Sequence, residues 1–116
     1  MKVSGLTDDK PRIIQALSGI PGLARALPAW PDDWAALPCI VVSEAGSRPV
    51  DYRDGVARIT EVEYCLRVFA NRAAEQAEVA SVADKVMREL GYERVMIWDD
   101  DREGTKHKAM RYKTYF

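Results

Sequence analysis

The densest group of side chains able to do chemistry is the run Asp99-Asp100-Asp101-Arg102-Glu103-Gly104. Acids at its first, third and fifth positions and glycine at its sixth match the opening of a calcium-binding loop. Such a loop closes on a bidentate carboxylate at its twelfth position, and here that position is Met110. The flanks, moreover, read as strands rather than helices. The run is therefore expected to be a solvated hairpin tip, and no metal site is expected.

His107, the single histidine, stands between Lys106 and Lys108 in the same polar segment. A general base needs an oriented neighbour and a cleft, which the sequence does not supply, so an exposed loop histidine is expected. Cys39 and Cys65 sit in strand-like apolar stretches, where the thiolate is disfavoured and the thiol packs as a small hydrophobe. A two-cysteine chain without an export signal is expected to be reduced, and strand pairing decides whether the two thiols are neighbours. The chain contains no Gly-x-Ser-x-Gly elbow, phosphate-binding glycine loop or Cys-x-x-Cys pair. Neither catalytic residues nor a cofactor are expected, which makes the chain an assembly or binding domain rather than an enzyme.

Two charged patterns remain. Lys106, His107, Lys108, Arg111 and Lys113 form the one basic cluster, interleaved with Tyr112 and Tyr115. Stacking rings and phosphate-seeking cations are what a single-stranded nucleic acid requires. The adjacent Asp99 to Asp101 oppose a polyanion, however, and neighbouring acidic and basic patches suit a self-complementary protein contact. The ladder Arg58, Glu61, Glu63, Arg67 is either a solvated sheet face or an interface between copies of the chain, in which charge sets register more than it adds affinity.

Composition narrows the class. At 116 residues the chain has room for one domain and one core. An apolar content of 47% with 30% charged residues is that of a folded, soluble protein rather than a disordered one. A formal net charge of −1 removes any whole-molecule argument for binding a polyanion. No apolar run approaches the roughly 20 residues of a membrane span, and Met1-Lys2-Val3-Ser4-Gly5 lacks the apolar segment of a secretory signal. A cytoplasmic protein is expected.

The elements that position these residues follow from periodicity. A helix is predicted from Asp9 to Ser18, with Asp8 or Asp9 as cap, Pro11 in the first turn and an apolar stripe of Ile13, Ile14 and Leu17. Gly19 and Pro21-Gly22 end it. Leu23 to Pro38 holds Pro28, Pro31 and Pro38, so at most a short helical turn and irregular chain are expected, with Trp30 and Trp34 as lids on the core. Cys39 to Glu44 reads as a short buried strand, and Arg48 to Gly55 as a long hairpin connection.

From Arg58 to Phe69 the residues alternate, Thr60, Val62, Tyr64, Leu66 and Val68 facing a core and the charged set facing away. Such a strand spans roughly 40 Å, more than a domain of this size needs, so part of it is expected to project. Asn71 is placed to cap a helix from Arg72 to Leu90, and Gly91 to end it. Arg94 to Trp98 predicts a third strand, Asp99 to Lys108 a polar loop, and Ala109 to Phe116 a fourth strand. The order helix, strand, strand, helix, strand, strand predicts an α+β domain: a mostly antiparallel four-stranded sheet with helices packed on one face.

One stretch carries a family pattern. A strand ends in Val68-Phe69-Ala70, and a helix opens on Ala73-Ala74-Glu75-Gln76-Ala77 and closes on Met87-Arg88-Glu89-Leu90-Gly91-Tyr92. A strand, an acidic loop and the basic-aromatic Met110-Arg111-Tyr112 follow. In order and overall length, Glu61 to Tyr112 resembles the tail terminator, or tail completion, proteins of long-tailed bacteriophages and prophages. The resemblance implies a sheet backed by helices, no active site, and a homo-oligomeric ring, usually of six copies. Such a ring sits on the last ring of the tail tube, stops its growth and offers a surface to the head connector. Its partners would be itself, the tail tube protein and the head connector protein, without a membrane, first in the host cytoplasm and then in the virion tail.

On this resemblance Arg58, Glu61, Glu63 and Arg67 would join neighbouring copies. Two long loops would contact tube or connector, one with Arg48, Asp51 and Arg53, the other with Asp99, Asp101, Arg102, Lys106 and Lys108. The alternatives are a head-closure or connector-adaptor ring of the same particle and, from another class, a small nucleic-acid-binding domain.

Overall fold

The computed structural model describes residues 8–34, 36–102 and 105–116, without the side chains of Arg53, Val56, Ala57, Arg58, Arg102 and Thr105. It is an α+β fold of two helices, α1 (Lys10–Leu17) and α2 (Ala73–Glu89), and five strands. The strands are β1 (Arg25–Leu27), β2 (Cys39–Arg53), β3 (Val56–Phe69), β4 (Glu93–Arg102) and β5 (Thr105–Tyr115), in the spatial order β1-β2-β3-β5-β4.

The expected sheet of four strands gains a fifth. Arg25–Leu27 pairs parallel with Cys39–Val41, which makes the sheet mixed, while the other three pairings are antiparallel. The prolines that argued against a strand stand outside these three residues, and Ala24 N donates to Pro38 O at 2.9 Å to hold the two segments side by side. Three residues are too few to show an alternating pattern.

Two expected loops are strands. Instead of ending at Glu44, β2 continues to Arg53, and Asp54-Gly55 turns the chain with φ of 53° and 75°. Positive φ at both central residues is what a two-residue hairpin turn needs. Register shifts leave Ala45 and Val50 bulged, and Pro49 is tolerated because β2 has no neighbour beyond β1. Of the expected loop from Asp99 to Lys108, residues 99–102 belong to β4 and 105–108 to β5, with Asp99 opposite Lys108 and Asp101 opposite Lys106, while Glu103 and Gly104 lie outside the described residues. Opposite charges facing each other across a ladder stabilise what composition alone marks as loop.

β3 is the strand its alternation predicts. Val62, Tyr64, Leu66 and Val68 are fully buried, together with Ile13 and Leu17 of α1, Ala83 and Met87 of α2, and Met110 and Tyr112 of β5. Both helices therefore cover one face of the sheet. α2 starts one residue later than expected: Arg72, in extended conformation, precedes its first turn, and no side chain caps it, so Asn71 is not the cap. Its end is as predicted, with Gly91 at φ 93°, Gly91 N donating to Arg88 O and Tyr92 N to Met87 O. Polar groups tie the layers together. Asp9 N donates to the Tyr64 hydroxyl at 2.8 Å, while the Tyr92 hydroxyl and Arg12 donate to the Asp9 carboxylate.

The sheet is longer than its helical cover. β3 pairs with β5 from Glu61 to Val68, and Thr60 bonds Phe116, so the β2–β3 ribbon from Pro49 to Ile59 runs on alone as an arm. The β4–β5 hairpin overhangs β3 beyond Phe69, at the opposite end. The molecule accordingly measures 52 × 27 × 24 Å. Among the described residues no helix is long and apolar enough to cross a membrane.

Candidate functional site

The sheet face turned away from the helices carries Ile59, Glu61, Glu63, Cys65, Arg67 and Phe69 of β3, and it divides into two halves. Around Phe69 it is covered. Trp30 and Trp34 pack on that ring with centroids 5.3 and 4.6 Å away, and Trp34 and Leu37 close a small second cluster with Cys39 and Val41. Trp34 is thus the lid the sequence suggested, and Trp30 keeps 41% of its surface in solvent.

His107 corrects its expectation. It is buried beneath Trp30 and stacked 4.5 Å from Phe69, not exposed in a loop. Because the segment is a strand, Lys106 and Lys108 turn to the helix side and His107 to the other. Its Nε2 lies 2.7 Å from Arg67 Nη1, and a guanidinium only donates, so Nε2 is the acceptor. The same Nη1 donates to Asp100 Oδ2 at 2.8 Å, and this bond holds the Asp100 carboxyl below the usual range against the opposing effect of burial.

The second half of the face is ionic and open. The Glu61 carboxylate accepts from Arg48 Nε at 3.1 Å and from the Tyr115 hydroxyl at 3.2 Å, while Arg111 pairs with Glu63. The bond from Arg48 lowers the Glu61 carboxyl below its ordinary range, burial opposes this, and Tyr115 adds to it. Glu61, Glu63 and Arg67, expected as subunit contacts, thus each have an oppositely charged partner within the chain; the side chain of Arg58 lies outside the described ones. Cys65 is opposite Ser43 and Cys39 opposite Phe69, four positions apart on one face or about 13 Å, so the thiols are not neighbours. Burial pushes the Cys39 thiol up.

On the helix side, the overhanging β4–β5 hairpin and the start of α2 enclose a cleft of about 740 Å³. Four expected contact residues, Asp99, Asp101, Lys106 and Lys108, line it together with Arg72 and Gln76. Lys108 Nζ meets Asp99 at 3.0 Å. The other expected set, Arg48 and Asp51, lies toward the arm at the far end of the molecule, and the side chains of Arg53 and Arg102 are outside the described ones. No protein-family model and no curated protein matches the chain.

Sequence reading missed the apolar side chains that the arm and the free edge expose. Tyr52 is 58% exposed and Met96 54%, with Val50, Ile59, Val95 and Ile97 also in solvent. The signal was present in Val95-Met96-Ile97, three apolar residues in a row on a strand with one covered side. Among the described residues no group of three metal-ligating side chains converges. The geometry offers contact surfaces at two ends and along one edge.

Proposed function

We propose that the chain is a structural virion subunit of the tail-terminator type, an oligomeric ring protein that caps a phage tail tube, ends its growth and presents a surface for head joining. One observation carries the reading: two hairpins of different chemistry project from opposite ends of a 52 Å axis. A capping ring must meet the tube on one side and the head connector on the other. The arm offers Tyr52 and Ile59 at one end, and the cleft with Asp99, Asp101, Lys106 and Lys108 offers charge at the other. Its partners on this reading are copies of itself, expected six to a ring, the tail tube protein and the head connector protein.

The nucleic-acid reading is weaker for a specific reason. Lys108 is paired with Asp99 and Arg111 with Glu63, and Lys106 stands opposite Asp101, so the basic cluster is largely neutralised by its own chain. A head-closure or adaptor ring shares the two-ended geometry and differs in its partner.

Growth of tubes from the particle's tail tube protein, in the presence and absence of this chain, separates the readings. Shorter tubes with a ring at one end in electron micrographs are expected. Unchanged tube lengths with binding to the connector alone would assign the adaptor role. A strict monomer that retards DNA at physiological salt would replace the assembly reading altogether.

A further inference from the structure

The sheet has two edges, and they differ along their length. β4 ends the sheet order with ten residues, and Val95, Met96 and Ile97 along it are exposed by 47%, 54% and 43%. These exposed apolar residues on an edge strand, one of them at the bulge between Arg94 and Met96, are a short template for another strand. At the other side β1 covers β2 only from Cys39 to Val41. Farther along, Pro49 and the bulge at Val50 blunt the edge of β2. Between the cover and the blunted part Val42 is buried, and Ser43 to Gly46 reach the surface with a bulge at Ala45.

The register joins these two open stretches by rows across the sheet. Glu44 is opposite Tyr64, Tyr64 opposite Tyr112, and Tyr112 opposite Arg94. One row thus ends in an exposed acid on β2 and, on β4, an exposed base that also meets Asp84 of its own chain at 3.4 Å. The next row on the same face runs Val42, Leu66, Met110, Ile97, buried at Val42 and exposed at Ile97. Because β2 and β4 run in opposite directions, copies that all point the same way bring β4 of one antiparallel to β2 of the next. A level junction continues the first row, setting Arg94 beside Glu44 of the adjoining copy.

We infer that neighbouring copies join edge to edge, β4 of one copy adding as an antiparallel strand to residues 43–46 of the next, with Arg94 and Glu44 fixing the register. This rests on the ring reading above, in which all copies share one orientation. The contact is head to tail, so it repeats around a ring instead of stopping at a pair. Backbone ladder bonds supply the attachment, and the charge pair opposes a slip of the strands.

The test uses Glu44→Cys and Arg94→Cys, with the wild-type chain, whose own thiols are buried, as blank. After mild oxidation, covalent dimers are expected when the two single variants are mixed and not from either alone. The chain carrying both substitutions is expected to give a ladder on a non-reducing gel, whose top rung counts the ring. A cross-link of Arg94→Cys with itself overturns the inference in favour of a two-fold β4 contact. Assembled protein by native mass measurement without any cross-link also overturns it and leaves the ring reading standing, whereas a chain that never assembles overturns both. In a parallel measurement Glu44→Arg is expected to weaken assembly and Glu44→Arg with Arg94→Glu to restore it. A double variant that folds, by circular dichroism, but does not recover assembly counts against the charge pair.

Discussion

Past the helical cover, the β2–β3 arm carries Val50, Tyr52 and Ile59 into solvent, whereas the β4–β5 tip sets Asp99 and Asp101 against Lys108 and Lys106. The tip keeps a regular register from Asp99 to Arg102 and rests on buried His107 through Arg67. The arm contains Pro49, bulges at Val50 and, on β3, at Arg58, and only its own ladder. An isolated two-stranded ribbon is marginal in water. The contrast is between two kinds of hairpin: the tip is clasped by its own charges, and the arm leaves its apolar groups in solvent.

The largest expected effect lies at the clasp. Arg67→Met takes a shared donor from Asp100 and from buried His107, and should destabilise the fold by about 2 kcal/mol in a chemical denaturation series. An unchanged midpoint would mean that the tip is held without it. Acid should loosen both hairpins more gently. Glu61 at the root of the arm and Asp100 at the tip have carboxyls lowered in the folded state, so they take up protons more readily once unfolded. Their contribution is complete above the unfolded values of roughly 4 and is lost as pH falls through the lower folded ones. Denaturation midpoints that stay flat from pH 6 to about 2.5 would contradict this.

The smallest stability effect belongs to the arm. Tyr52→Ser with Ile59→Ser should change folding stability by no more than about 0.5 kcal/mol, because both side chains are exposed, while reducing assembly with a tube protein if the proposed capping role holds. A larger loss of stability would show that the arm already packs within its own chain and would erase the contrast between the hairpins.

The helix-facing half of this fold was legible because β3 and α2 bury one regular face each, and period alone places Val62, Tyr64, Leu66, Val68 and Met87. The outer face was not, since its covering comes from residues 28–38, a segment without periodicity. His107 was hidden by its charged neighbours, although Lys106 and Lys108 stand as far after Glu103-Gly104 as Asp101 and Asp99 stand before it. That mirrored placement of opposite charges is the mark of a ladder. The arm was misread through Pro49, which a free edge accepts and a central strand does not. β1 was too short to carry any pattern, and its partner is parallel, set by the path of the chain around it.

The topology also orders events in time. Each hairpin joins strands adjacent in sequence and can close locally, but β3 and β5 meet only after the whole of α2 has been spanned. Loop closure over such a distance is the slow, entropically costly step in a fold built otherwise from near neighbours. The β3–β5 seam, where Tyr64 lies against Tyr112 and Leu66 against Met110, is therefore where the folding rate of this chain is set, and core substitutions there should slow folding before they speed unfolding.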